Sequence, residues 1–237
     1  MSTYVLIHGA WHGGWCWAKL APLLEAQGHT VVAPDLPGHG DDATPTERVT
    51  LQAYADRVCE VLDAQSEPVV LVGHSMGGIV ITQAGEQRPD RIRALVYVTA
   101  FLPENGRSLA DYADSAEDTL VPPNMVVSED GTRATVREAV IADAFYGDCS
   151  PEDIAWAKSR LVPQAVAPIV TPVRVTPDNF GRLPRVYVSC TRDRAITPEM
   201  QRMMLSNLPC DTVCSMDTGH SPFLADPDLL ARHLLAV

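Results

Sequence analysis

The stretch Val69-Val70-Leu71-Val72-Gly73-His74-Ser75-Met76-Gly77-Gly78 decides how this chain is read. Residues 68–72 form a continuous apolar run, which predicts a strand buried on both faces of a parallel sheet. Residues 77–87 carry a helical pattern. Ser75 therefore falls at a sharp turn from strand to helix, at the centre of G-x-S-x-G. With Gly and Ser each near 7% of residues, the bare motif arises by chance in about one chain in twelve of this size. The flanking strand and helix carry the argument. A nucleophile elbow needs a strained serine backbone, and Gly73 and Gly77 remove the side chains that would clash there. The hydroxyl is then presented at the carboxyl end of the sheet, and the Met76 N–H at the helix start points at developing negative charge. The competing reading is a serine that caps a helix in a tight turn.

A serine hydroxyl is a poor nucleophile unless a histidine takes its proton and a carboxylate holds that histidine in the right tautomer. On a sheet with such an elbow the chain order is serine, acid, histidine, with the later pair on loops just after strands. Residues 185–189 read as a strand followed by Cys190-Thr191-Arg192-Asp193, and residues 212–216 as a strand followed by Asp217-Thr218-Gly219-His220. Asp193 and His220 fit these slots. His74 neighbours the serine, but strand alternation would turn it to the opposite side. Asp217 suits a local structural hydrogen bond, His29, His39 and His233 suit packing or the surface, and only Glu104 follows the strand ending at Val98 as another acid. The loop 8–14, His8-Gly9-Ala10-Trp11-His12-Gly13-Gly14, supplies the second backbone donor an oxyanion hole needs, and Ala10 N–H is the candidate. His8 and His12 have an i, i+4 spacing, but they lie in a loop and no third metal ligand accompanies them.

Working outward, short apolar runs alternate with helical patterns, the signature of an α/β sheet wrapped on both faces. Strands are expected at 4–7, 30–33, 68–72 and 94–98, with helices at 15–27, 50–65 and 77–87. The pattern then breaks. Residues 103–179 show no regular alternation, and prolines punctuate short helical pieces at 136–144 and 151–161. An insertion of this length in a compact domain is usually a lid or binding element. Alternation resumes with strand 185–189, helix 198–207, strand 212–216 and a helix from Asp226. The expectation is an α/β core of about six mostly parallel strands from residues 1–102 and 180–237, with a small helical cap at 103–179.

The chain has 237 residues, enough for one large domain. With 46% hydrophobic and 20% charged residues, its composition is that of a globular protein and excludes a disordered chain. Eighteen Lys and Arg stand against 30 Asp and Glu, a formal net charge of -12. Such a surface repels polyanions, which argues against nucleic acid and anionic membranes as partners. The first residues lack the basic and apolar regions of a signal peptide, and the location expected is the cytoplasm. Six cysteines are scattered without a C-x-x-C pair, so a zinc site is not expected and they read as reduced, mostly buried thiols.

At this point the chain resembles an α/β-hydrolase, most closely the group of plant methyl esterases and hydroxynitrile lyases. The similar stretches are HGAWHGGWCWAKLAPLLEAQGHTVVAPDLPGHG, VVLVGHSMGG, AFLPE, CSPEDIAWA, FGRLPRVYVSCTRDRAITPEMQ and DTGHSPFLADP, which together span nearly the whole chain. The resemblance implies Ser75, Asp193 and His220 as the triad, Ala10 and Met76 as oxyanion donors, and a cap matching 103–179. It implies no metal or organic cofactor, and a small-molecule ester as partner; a homodimer is compatible with it. The lyases of this group typically carry Thr in the oxyanion loop, Glu before the serine and Lys after the histidine, where this chain has Ala10, His74 and Ser221. A serine-dependent carboxylesterase working through an acyl-enzyme is thereby favoured. Lyase chemistry, lactone or carbon–carbon bond hydrolysis, and perhydrolysis use much the same residues. A non-catalytic ligand receptor on the same scaffold is the reading from another class, and an intact triad argues against it.

A pocket between cap and core is expected to be mostly apolar. Trp11, Phe101, Tyr112, Trp156 and Phe223 are the candidate substrate contacts, with Met125 and Phe145 beside them, and a small apolar or aromatic ester is the substrate they suggest.

Overall fold

The computed structural model describes residues 1–113 and 118–237. Nine strands form among them: β1 (Thr3–Ile7), β2 (Thr30–Val32), β3 (Val69–His74), β4 (Ile92–Val98), β5 (Met125–Val127), β6 (Arg133–Val136), β7 (Gln164–Ala165), β8 (Arg185–Cys190) and β9 (Thr212–Met216). Six of these make a wholly parallel sheet in the order β2-β1-β3-β4-β8-β9. All six residues of β3 are buried, so neither face of this strand meets water. The helices are α1 (Ala21–Glu25), α2 (Leu51–Asp63), α3 (Gly77–Gln87), α4 (Leu109–Ala113), α5 (Glu138–Phe145), α6 (Pro151–Lys158), α7 (Val166–Val170), α8 (Pro198–Asn207), α9 (Pro222–Ala225) and α10 (Pro227–Leu235). None is long and apolar enough to cross a membrane.

Local signals explain the helix starts near the sheet. The Thr50 hydroxyl accepts the Ala53 N–H at 3.0 Å, and Leu51, Tyr54, Val58 and Leu62 bury one stripe of α2. Thr197 caps α8 with Pro198 in its first turn, and Asp226 accepts the Leu229 N–H at 3.0 Å to open α10. Because all six strands run the same way, the loops after β1, β3, β4, β8 and β9 gather at one edge of the sheet.

Two expectations are corrected. Residues 15–27 do not form one helix: a 3₁₀ turn over Gly14–Lys19 gives way to α1. Pro22 is the cause. It has no N–H to donate and its ring crowds the carbonyl four residues back, so it fits only the first turn of a new helix. The segment between β4 and β8 is not purely helical either. It contains an antiparallel sheet, β5-β6-β7, beside α4 to α7. All six cysteines are free thiols, with Cys16, Cys59 and Cys190 buried and the other three half-buried.

Candidate active site

Ser75 has φ 54°, a left-handed backbone that a serine adopts only under constraint. The constraint is the close approach of β3, α3 and β1. A Cβ on Gly73 would stand 2.7 Å from the Gly77 carbonyl oxygen, and one on Gly77 2.7 Å from that of Ile7. The Ser75 carbonyl accepts N–H bonds from Gly78 at 3.0 Å and Phe101 at 3.1 Å, which hold the turn. Its side chain meets His220, whose Nε2 lies 3.1 Å from Ser75 Oγ. His220 Nδ1 lies 2.7 Å from Asp193 Oδ2. A carboxylate only accepts, so Nδ1 carries the proton and Nε2 presents its lone pair to the serine hydroxyl.

The acid is fixed on every side. Asp193 Oδ1 accepts the N–H groups of Ala195 at 2.7 Å and Ile196 at 2.9 Å, and Thr99 Oγ1 donates to Oδ2. Asp193 and His220 are both almost fully buried. His74 is not turned away from this group, as strand alternation would have it. Its ring lies 4.6 Å from that of His220, and Nε2–H donates to the His220 carbonyl at 2.8 Å. Burial, then the proximity of His220, pushes His74 well below its ordinary range and keeps it neutral. Neither Thr99 nor His74 carries a sequence signal for these contacts. Asp217 stands apart on the surface, bonded to Thr191 and paired with Arg192.

Ala10 and Met76 border the same space as Ser75 and His220. Met76 is the N-cap of α3, so its N–H is one of those a helix leaves unpaired at its start. The space is a cavity of about 200 Å³ whose wall is apolar apart from Ser75 and His220. Trp11 and Phe101 line it, as do Met125 and Phe145, and Val121, Ile169, Ile196 and Met200 complete much of the wall. Three expected contacts lie elsewhere. Tyr112 stands behind Phe101, with ring centroids 6.3 Å apart, and its hydroxyl accepts the Glu104 N–H at 3.1 Å. Trp156 is half-buried outside the cavity, edge-on to Trp15 at 5.2 Å and beneath the Arg160 guanidinium at 4.5 Å. Phe223 is fully buried against His74 and Trp17, one layer below the cavity. Among the described residues no cluster of His, Cys, Asp and Glu is arranged to hold a metal ion.

A strained serine between strand and helix, bonded through histidine to a buried aspartate at the carboxyl edge of a parallel sheet, defines the hydrolase class of this fold. The chain belongs to the α/β hydrolase family, which it matches over residues 4–233. Within that family it falls in the group of the plant methylesterases. It is 35% identical to salicylic acid-binding protein 2 of Nicotiana tabacum over 99% of this chain and 96% of that one. Methylesterase 2 of Arabidopsis thaliana is 32% identical over 99% and 95%. Among solved structures, a pyrethroid hydrolase from Sphingobium faniae JZ-2 superposes with a TM-score of 0.91 at 27% identity, covering 99% of this chain and 96% of that one.

Proposed function

We propose that the protein is a serine-dependent carboxylesterase that hydrolyses a small apolar or aromatic ester through an acyl-enzyme. The observation that carries this reading is the unbroken chain Ser75–His220–Asp193 opening into an apolar cavity of about 200 Å³. Ser75 Oγ attacks the ester carbonyl while His220 Nε2 takes its proton. The carbonyl oxygen becomes an oxyanion that accepts the N–H groups of Ala10 and Met76. As the C–O bond breaks, His220 returns the proton to the departing alcohol, leaving an acyl group on Ser75. Water, activated by the same imidazole, then releases the acid. Asp193 holds the imidazole in the required tautomer throughout. Two relatives support the reading by name, one an esterase and one a hydrolase.

Cyanohydrin cleavage is the nearest competitor, and the residue after His220 weighs against it. Ser221 is fully buried there, and no Lys or Arg lines the cavity among the described residues. A departing cyanide would find no cation. The test is a panel of methyl, ethyl and aryl esters with the wild-type chain and Ser75→Ala. Turnover should fall by several orders of magnitude in the variant, together with loss of labelling by an organophosphate. Retention of most activity by Ser75→Ala would remove the serine from the mechanism.

A further inference from the structure

Three histidines outside the triad are buried in or against the loop that carries Ala10. His8, His12 and His39 are each no more than 1% exposed. Each aims Nδ1 at a carbonyl of this loop: His8 at Gly9 O (2.8 Å), His12 at Ala10 O (2.7 Å) and His39 at His12 O (2.7 Å). Carbonyls only accept, so each Nδ1 carries the proton. The far nitrogen must then accept, and its partners agree. His8 Nε2 takes the Leu36 N–H at 3.1 Å, and His12 Nε2 takes the Tyr146 hydroxyl at 2.7 Å. Burial keeps both rings neutral, holding His8 well below its ordinary range and His12 down to about 3.

A trans peptide unit is planar, with its C=O and N–H pointing opposite ways. Gly9 C=O and Ala10 N–H share one such unit. Drawing the Gly9 oxygen onto the His8 ring therefore turns the Ala10 N–H to the other side. Ser75 lies close by: a Cβ on Gly9 would stand 2.7 Å from Ser75 Cβ, and Ala10 borders the cavity beside Ser75. Were this peptide to flip, a carbonyl oxygen would face the developing oxyanion and repel it. The next carbonyl, Ala10 O, is held by His12, so both peptide units flanking Ala10 are pinned.

We infer that His8 is a positioning residue for the reaction: its Nδ1–H locks the Gly9–Ala10 peptide with the Ala10 N–H toward the oxyanion formed at Ser75, and His12 locks the peptide that follows. The inference rests on the esterase reading above. Its test pairs an ester with the thionoester of the same acid and alcohol, because sulfur accepts hydrogen bonds weakly and gains less from the oxyanion donors. His8→Asn keeps a donor near the position of Nδ1 but gives up the acceptor for Leu36 N–H. His8→Gln keeps an acceptor near Nε2 but withdraws the donor from Gly9. With His8→Gln, kcat on the ester should fall by about ten- to a hundredfold at little change in KM, and the ester-to-thionoester ratio should shrink by a similar factor. His8→Asn should keep that ratio within about threefold of wild type. A packing role alone would lower both substrates equally in both variants.

Ratios equal across the wild type and both variants, or a ratio lost in His8→Asn and kept in His8→Gln, overturn the inference. Thermal melting shows which variants fold; if His8→Gln does not, His8→Leu, which offers Gly9 no donor, takes its place, and an ester-to-thionoester ratio there equal to wild type overturns the inference. A wild-type chain inert toward every ester overturns the esterase reading itself, and the inference with it.

Discussion

Asp193 and His220 are held chiefly by the central sheet, whereas the loop that carries Ala10 leans on the insertion between β4 and β8. Around the acid and the histidine the partners are Thr99 after β4, the N–H groups of Ala195 and Ile196, and His74 at the end of β3. The insertion adds ties of its own: Asp148 accepts the Gly219 N–H at 2.6 Å, the Phe145 ring lies 5.6 Å from that of His220, and Thr119 Oγ1 donates to the Ala195 carbonyl at 2.8 Å. The oxyanion side is arranged differently. Trp11 has φ 63°, its Nε1–H donates to the Ala134 carbonyl at 2.9 Å, and its own carbonyl accepts the Val162 N–H at 3.0 Å. His12, next in the chain, takes the Tyr146 hydroxyl. The acid and histidine thus take most of their hydrogen bonds from the core, while the loop for charge stabilisation is held jointly, by the core through His8 and His39 and by the insertion through Trp11 and His12.

The largest effect should come from the core side. In Asp193→Asn the amide oxygen keeps the two backbone N–H bonds, which turns the NH₂ toward His220. Nδ1 must then accept, Nε2 carries the proton, and the imidazole faces Ser75 with no lone pair. Ester turnover should fall by about 10⁴-fold with the melting temperature nearly kept. A loss below tenfold would show that the aspartate does not set the tautomer.

A smaller, global effect follows from the buried rings. Burial lowers His8, His12, His39 and His74 below the ordinary value of 6.5. Unfolded, these rings bind protons that the folded chain refuses, so acidification below 6.5 favours unfolding. Each ring contributes up to about 1.4 kcal/mol per pH unit, and for His12 the loss continues down to about pH 3. Asp42 and Glu86, whose burial raises them but whose hydrogen bonds together outweigh it and lower the carboxyls, pull the same way only near and below their own unfolded values, about pH 4. A melting temperature that stays level from pH 6.5 to 5.5 would mean the rings are not held neutral.

The smallest effect probes the insertion. Tyr146→Phe deletes the hydroxyl donated to His12 Nε2 and leaves a buried acceptor unpaired. Stability should fall by about 1–3 kcal/mol in denaturant titration. Ester kcat should drop by less than about tenfold, equivalent to 1.4 kcal/mol in the barrier. Unchanged stability would show that His12 does not depend on the insertion.

The core was legible because its signals are local. The apolar run of β3, the bounds of α3 and α8, and the strand ends before Asp193 and His220 follow from period, capping residues and chain order. The insertion was not, since β5, β6 and β7 have only two to four residues each, too few to show alternation. His74 misled for a physical reason: alternation presumes continued strand geometry, and the positive φ of Ser75 ends it one residue later. Trp156 has the spacing of a helix face, but on α6 that face packs on Trp15 and away from the cavity. Thr99 is a lone threonine after a strand, and only the folded chain brings it to Asp193.

The two bonds that Trp11 makes with the insertion use the carbonyl of residue 134 and the amide of residue 162, so neither depends on which side chains stand at those positions. Every residue offers a carbonyl at the first, and every residue except proline an N–H at the second. Apart from side chains that tie to the core, such as Tyr146 and Asp148, the insertion can thereby change composition, and with it the shape presented to a ligand, while the backbone seam that steadies Trp11 persists. New specificities on this scaffold can arise by exchanging side chains in the insertion without rebuilding its junction with the loop beneath.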